Sequence, residues 1–374
     1  MTPRELRHEL HRFPELSGAE TETARRILDF FRPLGADQTW TGLGGTGSAF
    51  AFGTPESGPT VLLRCELDAL PIHESMDLSY RSTRPGVGHK CGHDGHMAIL
   101  GEVGRRLAVR RPSRGRVVLL FQPAEETGAG ASAVLADPRF AEIQPDVVYA
   151  LHNLPGFPLG EVVVKDGSFN CASRGLTARF SGRTSHAAEP ENGLSPAGAM
   201  AATVTGLTDL RLEGSGESAF VTVVGARLGE KAFGTAPGEA EVYATLRTES
   251  DEAMADLVTR AEDLVREAAA RDGLRCEIAY EDVFAATANA PEAVERVRRA
   301  VSRLGMTVRE MDCPFRWSED FGRFTATCQG ALFGLGAGEE HPALHHPDYD
   351  FPDALIETGA ELLVALIDDV LGTR

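Results

Sequence analysis

Basic charge is in short supply along this chain: 37 lysines and arginines face 55 aspartates and glutamates, a formal net charge of −18. Such a surface repels phosphate backbones and anionic bilayers at long range, which argues against nucleic acid or a membrane as a partner. Long apolar runs are missing too. No stretch of roughly eighteen apolar residues occurs that could span a bilayer. The start, Met1-Thr2-Pro3-Arg4-Glu5, lacks the basic and apolar segments of a secretory signal, so a cytoplasmic protein is expected. The six cysteines, Cys65, Cys91, Cys171, Cys276, Cys313 and Cys328, show no compact disulfide spacing. Reduced thiols are expected, with one or more able to bind metal. Internal repeats and low-complexity tracts are absent as well.

What is present suits a folded globular protein, with 42% apolar and 25% charged residues. At 374 residues the chain exceeds what one core usually serves, so two domains are expected. Thr2 before Pro3 predicts an N-cap with proline in the first helical position, followed by Leu6, Leu10 and Phe13 at helical spacing. A second helix is expected from about Thr21, turning Ile27, Leu28 and Phe31 inward. Apolar runs at 60–63, 117–121 and 147–151, separated by helical patterns such as 96–107, predict βαβ units and a mainly parallel sheet. Sheets of that kind bind ligands beyond the carboxyl ends of their strands.

From about Gly175 the pattern changes to strand 176–180, helix 196–207, strands 220–226 and 240–246, helix 252–270 and strand 274–280. This is the β-α-β-β-α-β order of a ferredoxin-like domain. Helix and strand then alternate again through 291–304, 306–311, 331–335 and a final amphipathic helix at 353–371. The expected fold class is therefore α/β: a mainly parallel-sheet domain formed by residues 1–173 and 284–374, interrupted by a ferredoxin-like domain at 174–283.

Chemistry concentrates in His89-Lys90-Cys91-Gly92-His93-Asp94-Gly95-His96, where a thiol and several imidazoles crowd a glycine-loosened loop. Cysteine and histidine supply soft-to-borderline donors, and glycines let near neighbours converge on one ion. Phe121-Gln122-Pro123-Ala124-Glu125-Glu126 leaves a predicted strand with two adjacent carboxylates. In an extended segment these point to opposite sides, so one can bind metal while the other faces water. An isolated acidic pair is more often a helix start, and a lone histidine more often a satisfied polar residue. Here they have company in Leu151-His152-Asn153 and Leu344-His345-His346-Pro347. Cys91, His93, Glu126, His152 and His345 make five ligands, enough for two ions if one ligand and a water bridge.

These stretches, with Leu6 to Leu16 and Leu67-Asp68-Ala69-Leu70-Pro71-Ile72, resemble the M20 metallopeptidase family in its amidohydrolase branch, which includes aminoacylases, hippurate hydrolases and indole-acetyl-amino-acid hydrolases. The resemblance runs in order along nearly the whole chain. It implies a dinuclear catalytic domain interrupted by a lid domain, and hydrolysis of the amide bond of an N-acyl amino acid by a metal-activated water. It implies that Cys91 bridges two divalent ions, zinc or manganese foremost with cobalt or nickel as alternatives. His93, Glu126, His152 and His345 would complete the coordination, Glu125 would be the general base, and Asp68 would orient a ligand. The ligand histidine directly follows leucine in the family, which favours His345 over His346. His186, in Gly182-Arg183-Thr184-Ser185-His186-Ala187-Ala188, resembles a lid histidine that reaches the scissile carbonyl, and Arg247 a lid arginine that holds the substrate carboxylate. A homodimer through the lid domain is implied as well. A dipeptidase or carboxypeptidase acting on unblocked peptides is the rival enzyme reading, and a non-catalytic metal-binding homologue the rival from another class. Two departures stand out: Glu66 occupies a position where aspartate is common, and Phe233-Gly234-Thr235-Ala236-Pro237 replaces a Phe-Asn-x-x-Pro segment.

Overall fold

In the computed structural model, Thr2 caps the first helix, Pro3–Arg12, through a full capping box. Its side chain accepts the Glu5 N–H, and the Glu5 carboxylate takes the Thr2 N–H in return. The structure describes residues 1–212 and 218–372. They divide into two units, Met1–Phe169 with Thr287–Pro314 and Glu319–Arg374, and Asn170–Ala286 with Phe315–Ser318. One short segment departs from the expected division: Phe315–Ser318 groups with the second unit, although the chain on both sides of it groups with the first.

The sheet of the first unit has eight strands in the order Gln38–Leu43, Gly47–Gly53, Arg116–Gln122, Thr60–Glu66, Val147–Pro155, Gln329–Gly338, Val162–Val164 and Val308–Glu310. Its four central strands are parallel. Thr60–Glu66 is buried at every position, which is why its sequence reads as a continuous apolar run rather than an alternation. The sequence reading missed the antiparallel hairpin Gln38–Leu43 and Gly47–Gly53. Its second strand carries only Phe50 and Phe52 as large apolar residues, amid glycine, serine and alanine, yet both are buried and Phe50 stacks on Phe31 with ring centroids 4.1 Å apart.

Helix His93–Val109 packs between Pro3–Arg12 and the last helix, Ala354–Leu371. Leu355, Leu362, Leu363, Leu366 and Leu371 of that helix are buried, each side chain contributing about 1.5–3 kcal/mol. The parallel strands end side by side. Thr60–Glu66 leads into Asp68, Arg116–Gln122 into Glu125 and Glu126, and Val147–Pro155 carries His152 near its own end. That is the position at which parallel sheets present ligand groups.

The second unit has a four-stranded antiparallel sheet, in the order Ala219–Leu228, Glu239–Thr248, Ala172–Ser181 and Arg275–Phe284, with helices Ala197–Asp209 and Asp251–Arg271 packed on it. Along Glu239–Thr248, Ala240, Val242, Ala244 and Leu246 are buried in alternation, so one face meets the helices. The chain order is β-α-β-β-α-β. The last strand extends to Phe284, a few residues past its expected end.

Candidate metal centre

The Cys/His motif is only partly a loop, because helix His93–Val109 starts inside it. Gly92 caps that helix at φ 95°, and a Cβ there would meet the Asn153 amide oxygen at 2.5 Å. Only glycine combines this left-handed backbone with that approach. The turn swings Cys91 and His93 toward the ends of neighbouring strands. The Cys91 Sγ lies 3.5 Å from His152 Nε2. His93 Nε2 is 3.8 Å from Glu125 Oε2 and 3.8 Å from Glu126 Oε1. His345 Nε2 is 3.7 Å from Glu126 Oε2.

Five groups of potential ligands converge among the described residues; two of them contain Glu125, and two others are donor sets built only from the expected ligands. The ligand atoms of Cys91, His93 and His152 all lie within 4.8 Å of one another, and so do those of Cys91, Glu126 and His345. Cys91 belongs to both. His346 points elsewhere, its Nδ1 accepting the Asp348 N–H. The expectation that Glu125 and Glu126 diverge from an extended segment needs correction. The chain turns after Gln122 with Ala124 at φ 50°, and both carboxylates approach the same His93 nitrogen.

Hydrogen bonds fix the tautomers. His93 Nδ1 donates to the Asp68 carbonyl oxygen at 2.9 Å and His152 Nδ1 to the Asn153 carbonyl oxygen at 2.9 Å, which turns each Nε2 toward the site, a ligand atom once it carries no proton. Asp68 does more: its Oδ2 accepts the Ser17 hydroxyl at 2.7 Å and the Glu126 N–H at 3.0 Å. His93 Nε2, Glu126 Oε1 and Asp68 Oδ1 are buried with no hydrogen-bond partner among the described residues. Buried polar atoms of that kind carry a desolvation penalty unless something binds them. A thiol, three imidazoles and a carboxylate with inward ligand atoms fit divalent cations in both donor sets.

The electrostatics agree. Burial, reinforced by Glu319, Glu126 and Asp320, holds the Glu125 carboxyl well above the usual range. Burial pushes Glu126 up to about 7. Burial opposes charge on His93, but its bond to Asp68 and the Glu66 carboxylate carry it up to about 10. Burial drives His152 down to about 3, so its imidazole is neutral. Burial and the neighbouring glutamates raise the Cys91 thiol. In the metal-free site Glu125, Glu126 and Cys91 hold protons to avoid crowding negative charge, and cations would displace those protons.

The sequence reading missed the ring of residues beneath. Arg64, fully buried, donates to Glu319 at 2.8 and 3.1 Å, to Asp320 at 2.5 Å and to Gln122 at 2.8 Å, and also pairs with Glu66. Glu66 Oε2 in turn meets His96 Nδ1 at 2.6 Å, and His96 Nε2 meets Asn153 Oδ1 at 2.5 Å. Glu66, a departure from the family pattern, thus joins the arginine to His96, on the helix that carries His93. In the second unit, His186 is exposed and its Nδ1 accepts the Ala188 N–H at 3.1 Å. Arg247 donates to Arg316 O and Ser318 Oγ, both at 2.9 Å.

Comparison with known proteins follows the same lines. The model of Peptidase family M20/M25/M40 matches residues 62–369. The chain belongs to this family. It is 30% identical to the N-acetyl-L-cysteine deacetylase of Bacillus subtilis, over 94% of this chain and 84% of that protein. Identity to the N-acetyldiaminopimelate deacetylase of Listeria monocytogenes is 29%, over 97% of this chain and 98% of that one. The crystal structure of a dinuclear metal binding peptidase of the M20 family from Bacillus subtilis superposes with a TM-score of 0.84 at 25% identity, covering 100% of this chain and 98% of that chain. Family, fold class and hydrolase class all agree with what the sequence motifs implied.

Proposed function

We propose that this M20 hydrolase is a metal-dependent amidohydrolase that cleaves the amide bond of a small N-acyl amino acid. The observation that carries the reading is the pair of donor sets sharing Cys91. Glu125, 3.8 Å from His93, belongs to neither, although it also groups with His93 and Glu126 and with Glu319 and Asp320, and this reading assigns it to the base. The deacetylases above act on N-acetylated amino acids by name, which points to the same substrate class here.

In this reading Cys91, His93 and His152 hold one divalent cation and Cys91, Glu126 and His345 the other, zinc or manganese foremost, cobalt or nickel next. When bound, such cations supply Lewis-acid polarisation of the scissile carbonyl and bring the pKa of water toward about 7. Glu125, the carboxylate beside His93 that belongs to neither set, accepts the proton of the attacking water. It then returns that proton to the departing amine, which requires a carboxyl that coordinates nothing. Asp68 fixes His93 through its carbonyl and Glu126 through its carboxylate. His186 accepts at Nδ1, which places its own proton on Nε2 as a donor for the developing oxyanion, an interaction worth about 3 kcal/mol. Arg247 is assigned to the substrate carboxylate, for which it would exchange its present oxygen acceptors.

A cytoplasmic homodimer through the lid domain, residues 174–283, belongs to the same proposal. Six free cysteines favour a reducing compartment, and Ala219–Leu228 is an edge strand of its sheet, open to pairing. The decisive experiment measures release of amino acid from a panel of N-acetyl amino acids, with dipeptides in parallel, on protein of known metal content. Cleavage of the acylated panel is expected, and Glu125→Gln should lower it by about 10²- to 10⁴-fold with bound metal unchanged. Full activity in Glu125→Gln, or cleavage confined to dipeptides, defeats the proposal.

A further inference from the structure

Lys90 stands directly before Cys91, and its side chain is fully buried. An ammonium group taken out of water needs partners, and two are present. Nζ donates to Glu74 Oε1 at 2.7 Å and to the Tyr349 carbonyl oxygen at 2.9 Å. Glu74 is itself held by His11 Nε2 and the Ser82 N–H, both at 2.8 Å. At the other end of the same residue, the Lys90 carbonyl oxygen accepts the N–H of His345 at 2.7 Å. One residue therefore grips segment 345–349 twice, by its backbone at His345 and by its side chain at Tyr349.

The histidine so held has little else to keep it in place. Its side chain is 51% exposed, so packing does not fix the ring. Its backbone sits at φ 65°, a region that residues with a Cβ avoid. The other ties of the segment lie beyond it: Ser75 N–H to Pro347 O at 3.4 Å, the Ser75 hydroxyl to Asp348, and Asn153 Nδ2 to the Tyr349 hydroxyl at 2.5 Å.

We propose that Lys90 is a positioning residue whose buried side chain fixes segment 345–349 so that His345 stays within reach of the cation held with Cys91 and Glu126. The proposal rests on the metal-site reading given above. Loss of the side chain removes one of the holds on the Tyr349 backbone and loosens the segment, and His345 then relaxes from its left-handed conformation away from Glu126. In the other donor set, His93 and His152 take their orientation from the Asp68 and Asn153 carbonyl oxygens, neither of which bonds to Lys90.

The test counts ions per chain by elemental analysis after dialysis and measures stepwise zinc affinity by competition with a chromogenic chelator. It uses wild type, Lys90→Met, Lys90→Arg, His345→Ala and the Lys90→Met/His345→Ala double variant. Two ions are expected in wild type, with one weakened in His345→Ala. Lys90→Met should weaken that same ion by about 10- to 100-fold and leave the other at wild-type affinity. The double variant should be no worse than His345→Ala, and Lys90→Arg should recover part of the loss. Wild-type affinity for both ions in Lys90→Met, or equal weakening of both, overturns the positioning role while the metal-site reading stands. A wild type that binds no ions, or a His345→Ala that keeps both at full affinity, overturns that reading and this one with it. Where Lys90→Met does not fold, Glu74→Gln removes the ammonium's charged partner and should weaken the same single ion to a smaller degree; unchanged affinity there also overturns the proposal.

Discussion

Asp68 shows how much one residue can organise. Its carbonyl oxygen sets the His93 tautomer, and its Oδ2 holds both the Ser17 hydroxyl and the Glu126 N–H, so two donors in different sets depend on it. Asp68→Ala strips the carboxylate but keeps the carbonyl. It should lower metal affinity about 10- to 100-fold through Glu126, and cost the metal-free protein about 1–3 kcal/mol for the N–H left unsatisfied. Chelator competition and urea unfolding read the two effects, and unchanged affinity would remove Asp68 from the positioning machinery. Asp68 was legible only through the family resemblance of its Leu67-Asp68-Ala69-Leu70-Pro71-Ile72 stretch, whereas Cys91 and His93 were legible because they are dense within one motif. Glu319 and Asp320 were not. They belong to no motif or periodic segment, and the arginine that gathers them, Arg64, lies 255 residues from Glu319 in sequence. Only folding puts a buried cation next to that pair.

At the scale of elements, periodicity located the long helices and the buried parallel strands, where each pattern is set by burial on one or both faces. It failed at the hairpin Gln38–Leu43 and Gly47–Gly53, whose small residues carry little β signal, and at the start of helix His93–Val109. There the helix begins at a glycine in a left-handed conformation rather than at a conventional polar cap, so the motif looked like loop. That junction is testable. Gly92→Ala should destabilise the metal-free protein by about 1–3 kcal/mol, combining backbone strain with the contact on Asn153. Gly18 also has positive φ, at 77°, but nothing lies within 4 Å of its added Cβ, so Gly18→Ala should cost only the strain, about 1 kcal/mol. Equal urea midpoints for the two variants would remove the steric argument for Gly92.

The molecule as a whole hides part of its charge in a connected core of ions. Arg7 pairs with Asp94 at 3.2 Å and Asp350 at 2.9 Å, His11 bridges Asp94 at 2.9 Å and Glu74 at 2.8 Å, and Lys90 completes the chain to Tyr349. Burial opposes protonation of His11, but its bonds to Asp94 and Glu74 outweigh it and carry the imidazole up to about 9. A histidine raised above its unfolded value of about 6.5 stabilises the fold fully below that pH and loses its contribution as pH climbs through about 9. His93, carried up to about 10, behaves alike in the metal-free protein. Glu126 and Asp320, each raised to about 7, lose stability in the same direction as pH rises, but mostly below pH 7.5. Glu125 and Cys91, held well above their usual ranges, add to the alkaline fall beside the two histidines. Near pH 8 each histidine that stays protonated only when folded steepens the fall of unfolding free energy by about 1.4 kcal/mol per pH unit. His11→Gln should therefore make the slope measured by urea unfolding of chelator-treated protein between pH 7.5 and 8.5 shallower by about 1 kcal/mol per pH unit. A slope identical to wild type would mean that His11 is neutral in the fold, and that the buried network is held by its arginine and lysine alone.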